Sequence, residues 1–400
     1  MVARLLQLTR QGLSDLRFER TRKGNEFSQL AATSEVSDVE ESLARTMAWL
    51  RRTYEQTGGQ GCSRSYGYVD GWRDAYPETT GYIARTFFAY ADHTGDSSYE
   101  EQGAAMLDWL ETVQQSDGGI LGGTVDKTRS PVSIIFNTGM VLGGWVAGHE
   151  RLGQQNGKYY DALEHASDFL TEVRGDEKRW LQHSYGGITH TYHSRVAWYL
   201  LAASKITGSA EHRAAALDIL DWVVEQQRPN GSFANCIFTT KKPNSNTHGL
   251  AYTIRGLLEA DHIEPNEAYR NAAIRGADAL LDYFEKHRRI PAYFDATWQP
   301  TCRPECLTGI AQLSIIWFKL AADAEARGES GERYRRGATD GTDLLRAIQG
   351  THHDRDETRG AIKGSHPTWG PYLPLQFPNW AAKFFADALL LRIRAESSGS

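Results

Sequence analysis

A short polar motif, most complete as Tyr76-Pro77-Glu78-Thr79-Thr80-Gly81-Tyr82, recurs in degenerate form down the chain, and each copy stands just before a strongly apolar run. The later copies are Asn137-Thr138-Gly139, His193-Ser194-Arg195, Thr247-His248-Gly249, Pro304-Glu305-Cys306-Leu307-Thr308-Gly309 and Asn379-Trp380-Ala381. With Gly81, Asn137, His193, His248, Thr308 and Asn379 as markers, successive spacings are 56, 56, 55, 60 and 71 residues. Spacing this regular means one supersecondary unit repeated six times. Four hundred residues, which length alone would divide into two or three domains, are therefore expected to form one closed body.

The unit is a pair of helices. After Ser37-Asp38 the run VEESLARTMAWLRRTYEQ puts Leu43, Met47 and Leu50 on one side, with an Asp or Ser cap and early Glu, as an amphipathic outer helix should. The run GYIARTFFAYADH from Gly81 is apolar round more of its circumference and reads as a helix buried in the middle. Outer helices are expected near 38–54, 99–113, 159–173, 211–226, 267–285 and 332–348, and inner ones from about Gly81, Gly139, Arg195, Gly249, Gly309 and Trp380. A series that starts on an outer helix and ends on an inner one can close into a ring. Residues 1–37, polar with a weakly periodic set of leucines, read as an N-terminal arm, and 38–400 as the single ring domain.

Links from inner to outer helices are short and turn-like, whereas outer-to-inner links run about twenty to thirty residues, longer than ordinary connections between packed helices. The long links hold Tyr66, Tyr68, Trp72, Tyr76, Trp180, Tyr185, Tyr192, Tyr293, Phe294, Trp298, Trp369 and Tyr372, a composition that argues against disorder and for one functional rim. The net charge of -6, with acidic and basic residues mixed along the chain, leaves no basic stripe for nucleic acid. No apolar stretch is long enough for a secretory signal or a membrane span, and four cysteines are too few for a disulfide framework, so a soluble cytoplasmic protein with reduced thiols is the expectation.

The count of alternating helices resembles the all-α (α/α)6 toroid, six inner and six outer helices, shared by many glycoside hydrolases, polysaccharide lyases and sugar epimerases. The closing segments Lys363-Gly364-Ser365-His366-Pro367 and Phe377-Pro378-Asn379-Trp380-Ala381, with the Pro-Glu-Thr-Thr-Gly-Tyr opening, look like the VpsJ-like proteins of bacterial exopolysaccharide gene clusters. This resemblance implies catalytic groups where long loops enter inner helices. Gln114-Gln115-Ser116-Asp117-Gly118 and Gln227-Arg228-Pro229-Asn230-Gly231 look like the turns that brace neighbouring repeats in squalene cyclases, but the acidic motif that protonates a polyene is missing. A Cys/His zinc site is known on related toroids; here Cys302-x-x-x-Cys306 has no neighbouring His to complete it, and His352-His353 with Asp354-Arg355-Asp356-Glu357 suits a charged solvated loop, so neither metal nor cofactor is expected.

Three readings of the polar rim follow. In the first, Arg195 grips a uronate carboxylate while His193, Tyr192 or His248 moves the C5 proton, as an epimerase or lyase of polysaccharide biosynthesis or modification requires. In the second, Glu78 and Glu305, each after proline and before Thr-Gly, form the paired carboxylates of a glycoside hydrolase. In the third, the aromatic rim binds glycan without turnover. Tyr82, Trp72, Asn137, His190, Tyr185, Tyr252, Trp369, Asn379 and Trp380 are the expected substrate contacts, Asn137 and Asn379 doubling as helix caps. The partner is an oligo- or polysaccharide, free or lipid-linked. Convergence of Glu78, Tyr82, Asn137, His193, Arg195, His248, Glu305 and Trp380 on one cavity is expected if the inner helices run parallel.

Overall fold

The recurring Thr-Gly pairs have a packing cause that a computed structural model makes visible; it describes residues 2–32, 38–125, 132–153, 157–238, 244–349, 351 and 355–398. Two N-terminal helices, α1 (Val2–Thr21) and α2 (Phe27–Ala32), precede the repeats. Outer helices α3 (Val39–Glu55), α5 (Ser97–Val113), α7 (Tyr160–Glu172), α9 (Ala210–Glu225), α11 (Glu267–His287) and α13 (Glu332–Gln349) then alternate with inner ones. The inner helices are α4 (Pro77–Thr94), α6 (Ile135–Gly148), α8 (Ser194–Thr207), α10 (Thr247–Ile263), α12 (Leu307–Ala326) and α14 (Asn379–Ser398). Each inner helix touches the next and α14 returns to α4; each outer helix packs on the inner helix before it, with α3 on α14. The fold is an (α/α)6 toroid.

Thr80 and Thr138 show what the first half of the repeated dipeptide does. Each hydroxyl donates to a carbonyl four residues back, Tyr76 O at 2.8 Å and Ile134 O at 2.9 Å, and accepts a loop amide, Cys62 N or Ile120 N, at 2.9 Å. The glycine that follows lets inner helices touch. A Cβ on Gly81 would stand 2.7 Å from Val141 Cα, one on Gly139 2.5 Å from Val196, and one on Gly309 2.6 Å from Thr247. The first two inner helices begin four residues before the expected glycines, because Pro77 suits a first helical turn and Ile134 caps α6 through its backbone.

The glutamine turns brace successive outer helices. Gln114 Nε2 donates to Gly118 O and to Ala162 O of α7, both at 2.9 Å, and Gln227 Nε2 reaches Ala272 O of α11 at 2.8 Å. A side chain at Gly118, where φ is 81°, would also run into His165 O.

Short antiparallel pairs knit the long loops together along the rim where the inner helices begin. β1 (Ser65–Gly67) pairs with β2 (Gly71–Trp72) and with β7 (Gln376–Pro378), joining the first loop to the last. β3 (Ser245–Asn246) pairs with β4 (Tyr293–Phe294), and β5 (Glu305–Cys306) with β6 (Ser365–His366).

The arm docks by charge. On α1, Leu13 and Leu16 are half exposed while Asp15 is fully buried and Gln11 nearly so, an inversion of the usual amphipathic pattern. Asp15 is paired with Lys363 and accepts Thr368 N at 2.7 Å, Glu19 meets His366 Nε2 at 3.2 Å and Arg289 at 2.9 Å, and Arg22 is paired with Glu305. Burial alone would raise Asp15; Lys363 and His366 hold it below the usual carboxylate range. His352, His353 and Asp354 lie outside the described residues.

Candidate functional site

Tyr76 ends its loop in extended backbone and caps α4, Pro77 opens the helix, and Glu78 follows in the first turn, where partial positive charge collects. The Tyr76 hydroxyl donates to Glu78 Oε2. With Glu78 only 8% exposed, burial pushes its carboxyl up to about 7, against the pull of the Tyr76 hydroxyl and of the Arg64 and Arg195 cations. Such a group is divided between acid and base near neutral pH.

Around it runs a largely aromatic wall from inner helices and from the loops that lead into them. Arg64, half buried, lies 5.2 Å over the Trp380 ring and 6.0 Å from that of Tyr76. Trp380 Nε1 donates to the Tyr372 hydroxyl at 2.9 Å, which lies 3.3 Å from His248 Nδ1; the Gln312 amide is 3.4 Å from the same nitrogen. Burial, aided by Arg195, holds His248 well below its ordinary value, so its ring is neutral. His248 packs on Tyr252 and Phe238, Phe238 on Tyr192, and Phe136 on both Tyr192 and Tyr252. Beside Tyr76, the Tyr185 hydroxyl donates to Asn137 Oδ1 at 2.9 Å.

Arg195 forms the floor. Its guanidinium lies 4.8 Å from the Tyr252 ring, 5.2 Å from Phe384 and 5.8 Å from Tyr82, and Nη2 donates to the Tyr199 hydroxyl at 3.1 Å. It is fully buried, its Nη1 has no hydrogen-bond partner, and its charge reaches Glu78 from beneath. The half-buried cation beside the carboxyl is Arg64.

The structure thus brings together Glu78, Tyr82, Asn137, Tyr185, Tyr192, Arg195, His248, Tyr252 and Trp380. Glu305 is elsewhere: it is paired with Arg22 and accepts Ile290 N at 3.2 Å, because it sits in β5, ahead of the first turn of α12, and turns toward the arm. His193 is fully buried with its ring on Trp180 at 5.6 Å, and Trp180 is tied to Leu170 O of outer helix α7, so the imidazole lies between the layers behind Tyr192. His190, expected as a substrate contact, stacks on Tyr192 and bonds the Tyr185 carbonyl at 2.7 Å, which braces that loop. Trp72 packs on Trp49 of outer helix α3, and Trp369 is 48% exposed beside Gly12 of the arm; neither offers its ring to the cavity, since in the strand and loop they occupy these side chains face outward. Asn379 Nδ2 donates to Ser63 O at 2.9 Å and Thr79 Oγ1 at 2.8 Å, fastening the first loop to α4.

Arg64, Tyr76, Gln312 and Tyr372 join the site without having been expected there. Tyr76 and Tyr372 stood out as rim aromatics, but Arg64 and Gln312 carried no motif signal.

Several solved structures that share this fold are unsaturated glucuronyl hydrolases. An unsaturated glucuronyl hydrolase specific for heparin matches with a TM-score of 0.68 at 16% identity, over 90% of this chain and 98% of that one. The enzyme of that class from Bacillus sp. GL1, described as responsible for glycosaminoglycan degradation, matches equally well in TM-score at 15% identity, over 88% and 96%. The fold is theirs. A mutant of the Streptococcus agalactiae enzyme complexed with dGlcA-GalNAc6S gives 0.62 at 13% identity, over 91% and 94%. No protein-family model and no curated protein matches the sequence, so the likeness to VpsJ-like proteins stands on its motifs alone. Among the described residues no helix is long and apolar enough to cross a membrane.

Proposed function

We propose that this protein is a carbohydrate-active enzyme that acts on a uronate-containing glycan, with Glu78 as the group that moves a proton beside the uronate carboxylate. One observation carries the reading: a buried carboxyl held near 7, hydrogen-bonded to a phenol and flanked by a half-buried arginine in an aromatic wall. Arg64 would hold the substrate carboxylate and Trp380 would face the pyranose ring. Ionised Glu78 would take the C5 proton while the C5–H electron pair moves into the carboxylate as an enolate. Return of a proton to the other face is epimerisation; loss of the C4 oxygen is elimination. Glycosidic displacement by two carboxylates is the weaker reading, because Glu305 is bound to the arm.

The fold of the unsaturated glucuronyl hydrolases favours a second reading of the same carboxyl. Neutral Glu78 would protonate the double bond of an unsaturated uronate, after which water adds and the glycosidic bond opens. One assay separates them. Incubated in deuterium oxide with saturated uronans, an epimerase incorporates deuterium at C5 without cleavage and a lyase gains ultraviolet absorbance; incubated with an unsaturated uronyl disaccharide, a hydrolase loses that absorbance. Each activity should fall by about 10²–10⁴-fold in Glu78→Gln. Failure of all three on a panel of uronans and unsaturated disaccharides would reject the proposal and leave glycan binding.

A further inference from the structure

At the opposite mouth of the barrel, toward the C-terminal ends of the inner helices, lies a cavity of about 210 Å³ whose wall is partly aliphatic and whose charged lining residues are Arg85, Arg255, Lys319, Lys383, Asp387 and Arg394. Five of these six are cationic. Asp387 is held by Lys383 and by the Thr86 hydroxyl at 2.7 Å, and Glu259, just behind the wall, by Arg255 at 3.1 Å and Lys319 at 3.1 Å. Asp387 and Glu259, with the field of Glu150 reaching Arg85, thus stand against the arginines and Lys319 and against Lys383, whose charge burial weakens. Arg255 is 8% exposed and its Nη1 has no hydrogen-bond partner, an expensive state for a buried guanidinium. Arg85 donates to the Tyr199 hydroxyl at 2.7 Å instead of to a carboxylate. The layer of Tyr82, Arg195, Tyr199, Tyr252 and Phe384 separates this cavity from the rim carrying Glu78.

We propose that this pocket binds the phosphate group of a small ligand, either free phosphate or a phosphate monoester. The charge excess suits a dianion better than a monoanionic carboxylate, and converging guanidinium and ammonium donors match its oxygens. Size limits the rest of the ligand: the cavity is below the roughly 300–1,000 Å³ of ordinary small-molecule sites, which leaves room for phosphate plus about one sugar ring and none for an oligosaccharide. Burial, with Arg255 and Arg195 acting in the same sense and Asp387 against, lowers Lys383 to about 7, and a bound dianion would restore its charge.

The test is calorimetric titration of the full chain with inorganic phosphate and, separately, glucose 6-phosphate. Saturable one-to-one binding is expected, weakened at least about tenfold by Arg255→Met and by Lys319→Met, and about threefold by Arg394→Gln at the exposed mouth. Glu78→Gln should bind as the parent does, which keeps this site independent of the rim reading. Tighter binding of the ester would identify a sugar phosphate as the ligand; tighter binding of the free ion, phosphate itself. Absence of saturable binding of either probe up to about 10 mM would overturn the proposal. So would binding left unchanged by folded Lys319→Met and Arg394→Gln, or abolished by Glu78→Gln.

Discussion

Glu78 and Glu305 both follow proline where a long loop enters an inner helix, and their surroundings are opposite. Glu78 shares its carboxyl with a phenol, lies beside a half-buried arginine, and is driven up to about 7 by burial. Glu305 is fully buried as well, yet it is gripped by the arm's Arg22 and approached by Arg289. The repeat itself explains the divergence. Gly81 and Gly309 occupy the same helix-contact position, but Glu78 stands three residues before its glycine and Glu305 four. What separates them is where the helix starts: α4 begins at Pro77, four residues before its glycine, and α12 at Leu307, only two before, so Glu305 falls outside the helix in β5, opposite His366, where its side chain serves the seam between arm and ring. An unpaired buried acid suits chemistry; a paired one suits attachment.

The largest expected effect divides the two by activity. On whichever uronate substrate turns over, Glu78→Gln should lower kcat/KM by about 10²–10⁴-fold, the usual worth of a positioned acid or base, while Glu305→Gln should stay within about threefold. Equal losses would restore the carboxylate pair and break the comparison. Stability should divide them the other way. Removing one partner of a buried ion pair costs about 3–5 kcal/mol, so Glu305→Gln and Arg22→Met should each lower the denaturant midpoint sharply, and the double variant by much less than the sum. Additive losses would mean that the arm does not depend on this pair.

These two roles were legible in the sequence to different degrees. The ring was readable because the Thr-Gly pairs and the apolar inner helices obey one packing geometry, and outer helices such as α5 and α9 begin within two residues of their expected places. Residues in or near the first turn of an inner helix, among them Glu78, Asn137, His248 and Trp380, reach the axis for the same reason. The loops had no such period. Nothing in sequence tells whether Trp72, Trp369 or Tyr372 turns toward the cavity or toward outer layers, and only Tyr372 does so. The arm was least legible. A helix that exposes Leu13 and Leu16 while burying Asp15 contradicts hydropathy, and its partners Lys363 and His366 lie some 350 residues away.

A third effect, smaller, follows from the raised carboxyl. The unfolded Glu78 titrates near 4.5 and the folded one near 7, so between these values the native state holds the extra proton and stability falls as pH rises, by about 3 kcal/mol in all. Glu78→Gln should remove that slope and so be more stable than the parent above pH 7, when Glu305→Gln is less stable. Denaturant titrations at pH 5 and pH 8 check this. The catalytic profile shares the same pivot: proton abstraction needs ionised Glu78 and should rise through about pH 7, whereas protonation of a double bond needs the neutral acid and should fall.

The smallest effect probes the wall around Glu78, where Glu305 has no equivalent. Trp380→Phe keeps an aromatic face for a sugar but deletes the indole N–H that donates to Tyr372 at 2.9 Å and weakens the surface under Arg64. Tyr372 retains His248, 3.3 Å away, so the wall should hold. One neutral hydrogen bond and part of a cation–π contact are worth about 0.5–1.5 kcal/mol, which corresponds to a rise in KM of roughly three- to tenfold. If Trp380 serves binding alone, kcat should not change, because the Tyr76 to Glu78 contact does not pass through the indole. The Trp380 ring does, however, meet that of Tyr76 edge-on at 6.4 Å. A parallel fall in kcat would therefore make Trp380 a positioning residue for the Tyr76–Glu78 pair, and a kinetic pKa that moves with the substitution would locate the effect on Glu78 itself.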